Sequence, residues 1–147
     1  MADDGQWEIH HVNLPAHDVR QSAAFFSAIF GMREGVFQRP AQGGNFRSDP
    51  AALAAFEQSG GGAAGPNNGL HLVKPVANFA PDIGLVHNPT IGGHVAITVP
   101  DLDAVKRRLE AAGILYSDAG QYAMAGYRQI YLYDPSMNLL EVNQRVG

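Results

Sequence analysis

The chain has 147 residues, 46% hydrophobic and 16% charged, with ten Lys+Arg against fourteen Asp+Glu for a net charge of −4. That is about one domain with an ordinary core, and it lacks the basic footprint of a nucleic-acid binder. Cysteine is absent, which excludes disulfides and thiolate chemistry, while the lack of an apolar run near 20 residues and the polar start Met1–Gly5 predict a cytoplasmic protein that engages no membrane.

The 17 glycines and 9 prolines favour many short elements over a helical bundle. A first strand is predicted through His11-Val12-Asn13-Leu14-Pro15-Ala16. A helix over 19–30 follows, with Asp18 as N-cap, Gly31 as its stop, and Phe26, Ile29 and Phe30 on one face. Strands are expected at 32–38 and, more weakly, at 44–48. Asp49–Gly61 offers a cap, Pro50 at the first helical position and an Ala-rich turn or two, so it reads as a short inserted helix. The glycine-rich 60–69 reads as a flexible loop with the character of a lid, before a strand at 69–74. Residues 76–92, with Pro75, Pro81 and Pro89, form a connector. A strand then starts at His94, followed by a helix over 102–112 with Asp101 as cap and Leu102, Val105 and Leu109 facing the core. Strands follow at 114–117, 127–133 and 139–144, the last two joined by the turn Asp134-Pro135-Ser136-Met137-Asn138.

Two segments repeat. His11-Val12 through Asp18-Val19 aligns without a gap on His94-Val95 through Asp101-Leu102, an offset of 83 residues. Each copy begins strand–loop–helix, and the second continues as βαβββ. His11 to His71 spans 60 residues against 47 from His94 to Glu141, so the first copy carries 13 extra, the length of Asp49–Gly61. The modules are thus about 8–75 with the insertion 49–61, and about 93–145, joined by the linker 76–92.

Strand alternation puts Val12 and Leu14 on one face and His11, Asn13 and Pro15 on the other. In the later strands Val95, Ile97, Leu70, Leu72, Leu140 and Val142 oppose His94, His71 and Glu141. Apolar faces cover the helices. His11, His71, His94 and Glu141 then point toward whatever the sheet encloses, as four candidate metal ligands at repeat-related positions. A lone strand histidine is more often core or surface than ligand; the repeat-related coincidence is what favours metal here. His10, His17 and His87 have no repeat partner and read as structural, with His10 on the opposite face from His11.

The His11-hydrophobic opening with its following Asp and helix, the matching His94–Leu102, and the closing Asp134-Pro135-Ser136-Met137-Asn138-Leu139-Leu140-Glu141-Val142 together resemble the vicinal oxygen chelate superfamily, the glyoxalase/bleomycin-resistance/dioxygenase group. The resemblance spans about 8–145. It implies an α+β fold of two βαβββ modules, forming a strongly curved, barrel-like mixed sheet around a metal cavity, in a homodimer. It also implies one divalent ion (Ni, Zn, Mn or Fe) on His11, His94 and Glu141, with His71 at the variable fourth position. Two departures stand out: Met137 where the family commonly has Gly, and His71 where typical glyoxalases carry a glutamate.

Three imidazoles and one carboxylate around a divalent ion leave a net +1, which suits an anionic oxygen ligand. The resemblance then implies a glyoxalase-like lyase or isomerase that binds a small substrate through adjacent oxygens and stabilises an enediolate-like intermediate, with Glu141 catalytic as a proton shuttle. Tyr131, Gln129 and Asn13 are the expected substrate contacts, although plain strand packing explains Tyr131 equally well. If only His11, His94 and Glu141 bind, the set is that of a non-haem Fe(II) enzyme, and an extradiol-type dioxygenase is the alternative. A fosfomycin-modifying activity is a weaker reading, because the chain ends six residues after Glu141. A non-catalytic drug-binding protein of the bleomycin-resistance type is the alternative from another class.

Overall fold

The computed structural model describes residues 6–38, 53–57, 67–122 and 124–146. Their elements run β1 (Glu8–Pro15), α1 (Val19–Phe30), β2 (Leu53–Glu57), β3 (Gly69–Val73), α2 (Phe79–Asp82), β4 (His94–Thr98), α3 (Leu102–Ala111), β5 (Tyr116–Gly120), β6 (Tyr127–Tyr133) and β7 (Leu139–Arg145). The seven strands make one mixed sheet in the order β2-β3-β1-β4-β7-β6-β5, curved but not closed. No described helix is long and apolar enough to cross a membrane.

The order is symmetric about its centre. β1 and β4 pair antiparallel there, and each has a parallel neighbour reached through a helix: β3 beside β1 and β7 beside β4. β2 then pairs with β3 as β6 pairs with β7, both antiparallel. A parallel partner requires a crossover, and α1 and α3 lie within those crossovers. Both helices start as the sequence predicts: the Asp18 carboxylate accepts from the Gln21 amide at 3.0 Å, and Asp101 from Ala104 at 2.9 Å. Gly31 ends α1 in the left-handed conformation at φ +65°.

Each helix covers one half of the outer face. Val19, Ala23 and half-buried Phe26 of α1 pack on Phe56 and Leu72, while Leu102, Val105 and Leu109 of α3 pack on Ile130, Leu132, Leu140 and Val142. Of the α1 face expected from sequence only Phe26 packs; Ile29 and Phe30 remain 63% and 62% exposed. The i, i+4, i+7 stripe through Val19 is the one that meets the sheet.

Two expectations about the first half fail. Residues 53–57, the middle of the expected inserted helix, are strand β2, with Ala55 opposite His71 and Phe56 opposite Leu70. Alanine's helical preference is weak beside the pairing and burial that β3 offers, and Leu53 through Phe56 are all buried. The strand expected at 32–38 contracts to one bridge, Glu34 to Phe56. The expected strand at 44–48 and most of the 60–69 loop lie outside the described residues.

Candidate metal centre

The inner face collects polar side chains because the register aligns them. Along one row stand Gly69, His11, Ala96, Glu141, Tyr131 and Ser117, and along the next Ala55, His71, Asn13 and His94. Five strands thereby bring His11, Asn13, His71, His94, Gln129, Tyr131 and Glu141 around one hollow, completed by Phe37, Leu53, Tyr122 and Met124. Its open volume is about 40 Å³, above the ~10–15 Å³ needed to hold a single water. A wider groove of about 650 Å³ shares Asn13 and His94 with it and is walled by Leu14, Val86, Ile91, Tyr133 and Met137.

Three acceptors converge. His11 Nε2 lies 3.4 Å from His94 Nε2 and 3.7 Å from Glu141 Oε2, and His94 Nε2 lies 3.9 Å from Glu141 Oε1. Tetrahedral ligands about 2.1 Å from an ion stand roughly 3.4 Å apart; these separations are near that value, and one donor atom from each of the three residues lies within 4.8 Å of the others, so the group suits a divalent ion. The donor chemistry fits too: among the described residues the group able to hold a metal is His11, His94 and Glu141, all buried. The chain fixes two of these candidate ligands from behind. His94 donates Nδ1–H to the Pro89 carbonyl at 3.1 Å, which leaves Nε2 bare toward the centre. Glu141 Oε1 accepts from Gln129 Nε2 at 2.7 Å and from the Tyr131 hydroxyl at 3.0 Å, and Oε2 accepts from Asn143 Nδ2 at 2.8 Å.

His71 stands differently. Its ring stacks on His11 with centroids 4.1 Å apart, and its Nε2 donates to the Asn67 carbonyl at 2.6 Å. It lines the hollow but is outside the group of three. Asn13 lines the hollow as well, whereas the polar ends of Gln129 and Tyr131, expected to meet substrate, are engaged with Glu141.

Burial sets the charge state. It pulls His71 down to about 3 and His94 to about 4, each partly offset by its bond to a backbone carbonyl. Burial also depresses His11 well below the ordinary imidazole value, helped by the neighbouring histidines. Neutral imidazoles are what a metal requires. Burial raises Glu141, against the pull of its donors Asn143, Tyr131 and Gln129. Burial and the adjacent Glu141 push Tyr131 well above the ordinary phenol value, so it stays a hydroxyl donor.

Strand alternation places His10 on the opposite face from His11, and the structure does not. A bulge between β1 and β4 sets Ile9 opposite Ile97 but His11 opposite Ala96, so His10 is the extra residue. A bulge breaks alternation and re-aims a side chain. His10 is consequently buried beside His11, its ring 4.7 Å from that of Tyr127. Sequence reasoning also misses Asn67, Asn68 and Asn143. Asn67 pairs its side chain with the Gln38 backbone at 2.7 and 2.8 Å, and Asn68 Nδ2 donates to the His10 carbonyl at 2.6 Å. Composition marks the Asn67-Asn68 pair only as loop; a turn tied down by amides before the strand that carries His71 is the available signal. His87, structural by sequence, bonds through Nδ1 to the Ser117 hydroxyl at 2.7 Å and ties the connector to β5.

The model of the Glyoxalase/Bleomycin resistance protein/Dioxygenase superfamily matches residues 8–142. The chain belongs to that superfamily. A superfamily member from Vibrio splendidus 12B01 is similar in structure at 15% identity and TM-score 0.59, covering 95% of this chain and 99% of its own. A variant of Streptomyces coelicolor methylmalonyl-CoA epimerase, in complex with 2-nitronate-propionyl-CoA, is similar at 19% identity and TM-score 0.60, covering 95% and 97%. Methylmalonyl-CoA epimerase from Mycobacterium tuberculosis is similar at 18% and 0.60, covering 95% and 88%. These likenesses show the fold. No curated protein sequence matches the chain.

Proposed function

We propose that this chain is a divalent-metal-dependent enzyme of the vicinal oxygen chelate type, moving a proton beside a carbonyl in isomerase or lyase chemistry. The observation that carries the reading is the buried triangle of His11, His94 and Glu141 in a hollow that still has open volume. A bound divalent ion supplies Lewis acidity toward two adjacent substrate oxygens and lowers the cost of negative charge there. The chain's own residues do the rest. His11 and His94 present Nε2, while Gln129, Tyr131 and Asn143 hold the Glu141 carboxylate in place. Glu141, its pKa raised by burial, is the group proposed to take and return the proton. The hollow admits only the reacting end of a substrate. The likeness to methylmalonyl-CoA epimerases supports a small acid or its thioester as the substrate class. A homodimer belongs to the same proposal, supported by the exposed Phe25, Ile29 and Phe30 of α1.

Zn²⁺, Ni²⁺, Mn²⁺ or Fe²⁺ added to metal-stripped chain should raise its melting temperature by mass action. His94→Ala should lose that shift while keeping the fold. With the preferred ion present, methylmalonyl-CoA or a small α-hydroxyketone in D₂O should lose its α-proton signal by NMR. Absence of any metal-dependent shift sinks the proposal. A second reading has its own support: two histidines and one carboxylate form the gathered set, the composition of non-haem iron oxygenases. Oxygen uptake with catechol and Fe²⁺, without proton exchange, would favour it. Retention of a small apolar drug with neither metal nor turnover would favour the binding protein.

A further inference from the structure

The bulge at His10 has a consequence for the ligand beside it. His10 Nδ1 lies 2.8 Å from His11 Nδ1, both side chains buried. One nitrogen of this pair must carry the proton and the other must accept it, because two lone pairs or two N–H groups at that distance repel. A neutral imidazole holds a single ring proton. For His11 to offer the Nε2 lone pair toward His94 and Glu141, its proton has to sit on Nδ1, where it meets His10. His94 solves the same problem with the Pro89 carbonyl. His11 has a second histidine in that place.

We propose that His10 is a positioning residue: its Nδ1 accepts the His11 Nδ1–H, locking His11 in the tautomer and ring orientation that present Nε2 to the centre. This inference rests on the metal-site reading above. It requires His10 to be neutral with its proton on Nε2. The extra residue in β1 is what makes the arrangement available, since regular alternation would send the two rings to opposite faces. The edge-on contact with Tyr127 and the bond from Asn68 to the His10 carbonyl hold this part of the strand in register.

The test uses the full chain with ¹⁵N-labelled histidine and Zn²⁺ as probe. In Zn²⁺-loaded wild type, His11 should show the nitrogen shifts of a protonated Nδ1 and a metal-bound Nε2. His10→Phe keeps a ring against Tyr127 but removes the acceptor, and Zn²⁺ affinity by calorimetry should fall about 10–100-fold, the usual cost of losing such a partner. His10→Asn places an oxygen near the lost Nδ1 and should restore affinity close to wild type. In the Zn²⁺-loaded wild type a His11 without a proton on Nδ1, or a folded His10→Phe chain with undiminished affinity, overturns the proposal. If His10→Phe does not fold, the wild-type tautomer and His10→Asn still decide. Wild type that binds no Zn²⁺ or Ni²⁺ would refute the metal-site reading itself and take the proposal with it.

Discussion

At the scale of single residues, Met137 shows how a local conflict is held in place. It sits in the β6–β7 turn at φ +65°, a left-handed conformation that costs a residue bearing a Cβ about 1–2 kcal/mol. The turn survives because Asp134 organises it: its carboxylate accepts from the Ser136 amide, the Asn138 amide and the Asn138 side chain, each at 2.8 Å. Met137 is itself 68% exposed and packs little. Met137→Gly should therefore raise stability by about 1 kcal/mol, seen as a higher urea midpoint at unchanged m. A lower midpoint would mean that the methionine side chain contributes more on the groove rim than its backbone costs. This residue was legible through the family resemblance, since the family commonly has glycine where Met137 stands. His10 was not. A bulge is an event between two strands, and nothing in Glu8-Ile9-His10-His11 distinguishes it from regular alternation.

At the scale of elements, the legible pieces are those whose signals are local. The caps Asp18 and Asp101, the alternation of β6 and β7 and the repeat that relates β1 to β4 can all be read without knowing what lies beside them. Leu53-Ala54-Ala55-Phe56-Glu57 carries a helical signal when read alone, and only β3 makes it a strand. Spacing arithmetic could place extra residues in the first half but not their conformation. Gly69, at the start of β3, shows how tight that pairing is. Its φ is +139°, and a Cβ there would lie 2.0 Å from the Phe56 carbonyl oxygen. No flexible side chain can move aside to relieve this, since the obstacle is backbone. Gly69→Ala should cost about 3 kcal/mol in urea unfolding, the upper end for a strained backbone site. Because Gly69 pairs with His11, Zn²⁺ affinity should fall in the same variant. Loss of less than about 0.5 kcal/mol, the range of an ordinary surface change, would show that β2 and β3 approach less closely.

For the whole molecule, the symmetric sheet has an electrostatic cost. Folding brings candidate ligands from both halves into one hollow, and it buries His11, His71 and His94 together as neutral imidazoles. In the unfolded chain each takes up a proton near pH 6.5. Folded, His94 resists until about 4 and His71 until about 3, with His11 also depressed. Between roughly pH 6.5 and 4 the unfolded state thus binds more protons, so the stability of the metal-free chain must fall as pH falls. Glu141 acts in the opposite sense, since its pKa is raised, but it is one group against three. The melting temperature of the metal-free chain should decline steeply below pH 6.5. His71→Gln keeps a donor for the Asn67 carbonyl and removes one titrating ring, so its stability–pH slope within that window should be shallower by about 1.4 kcal/mol per pH unit. Equal slopes in the two proteins would mean that His71 is hydrated and titrates normally, contrary to its burial in the hollow.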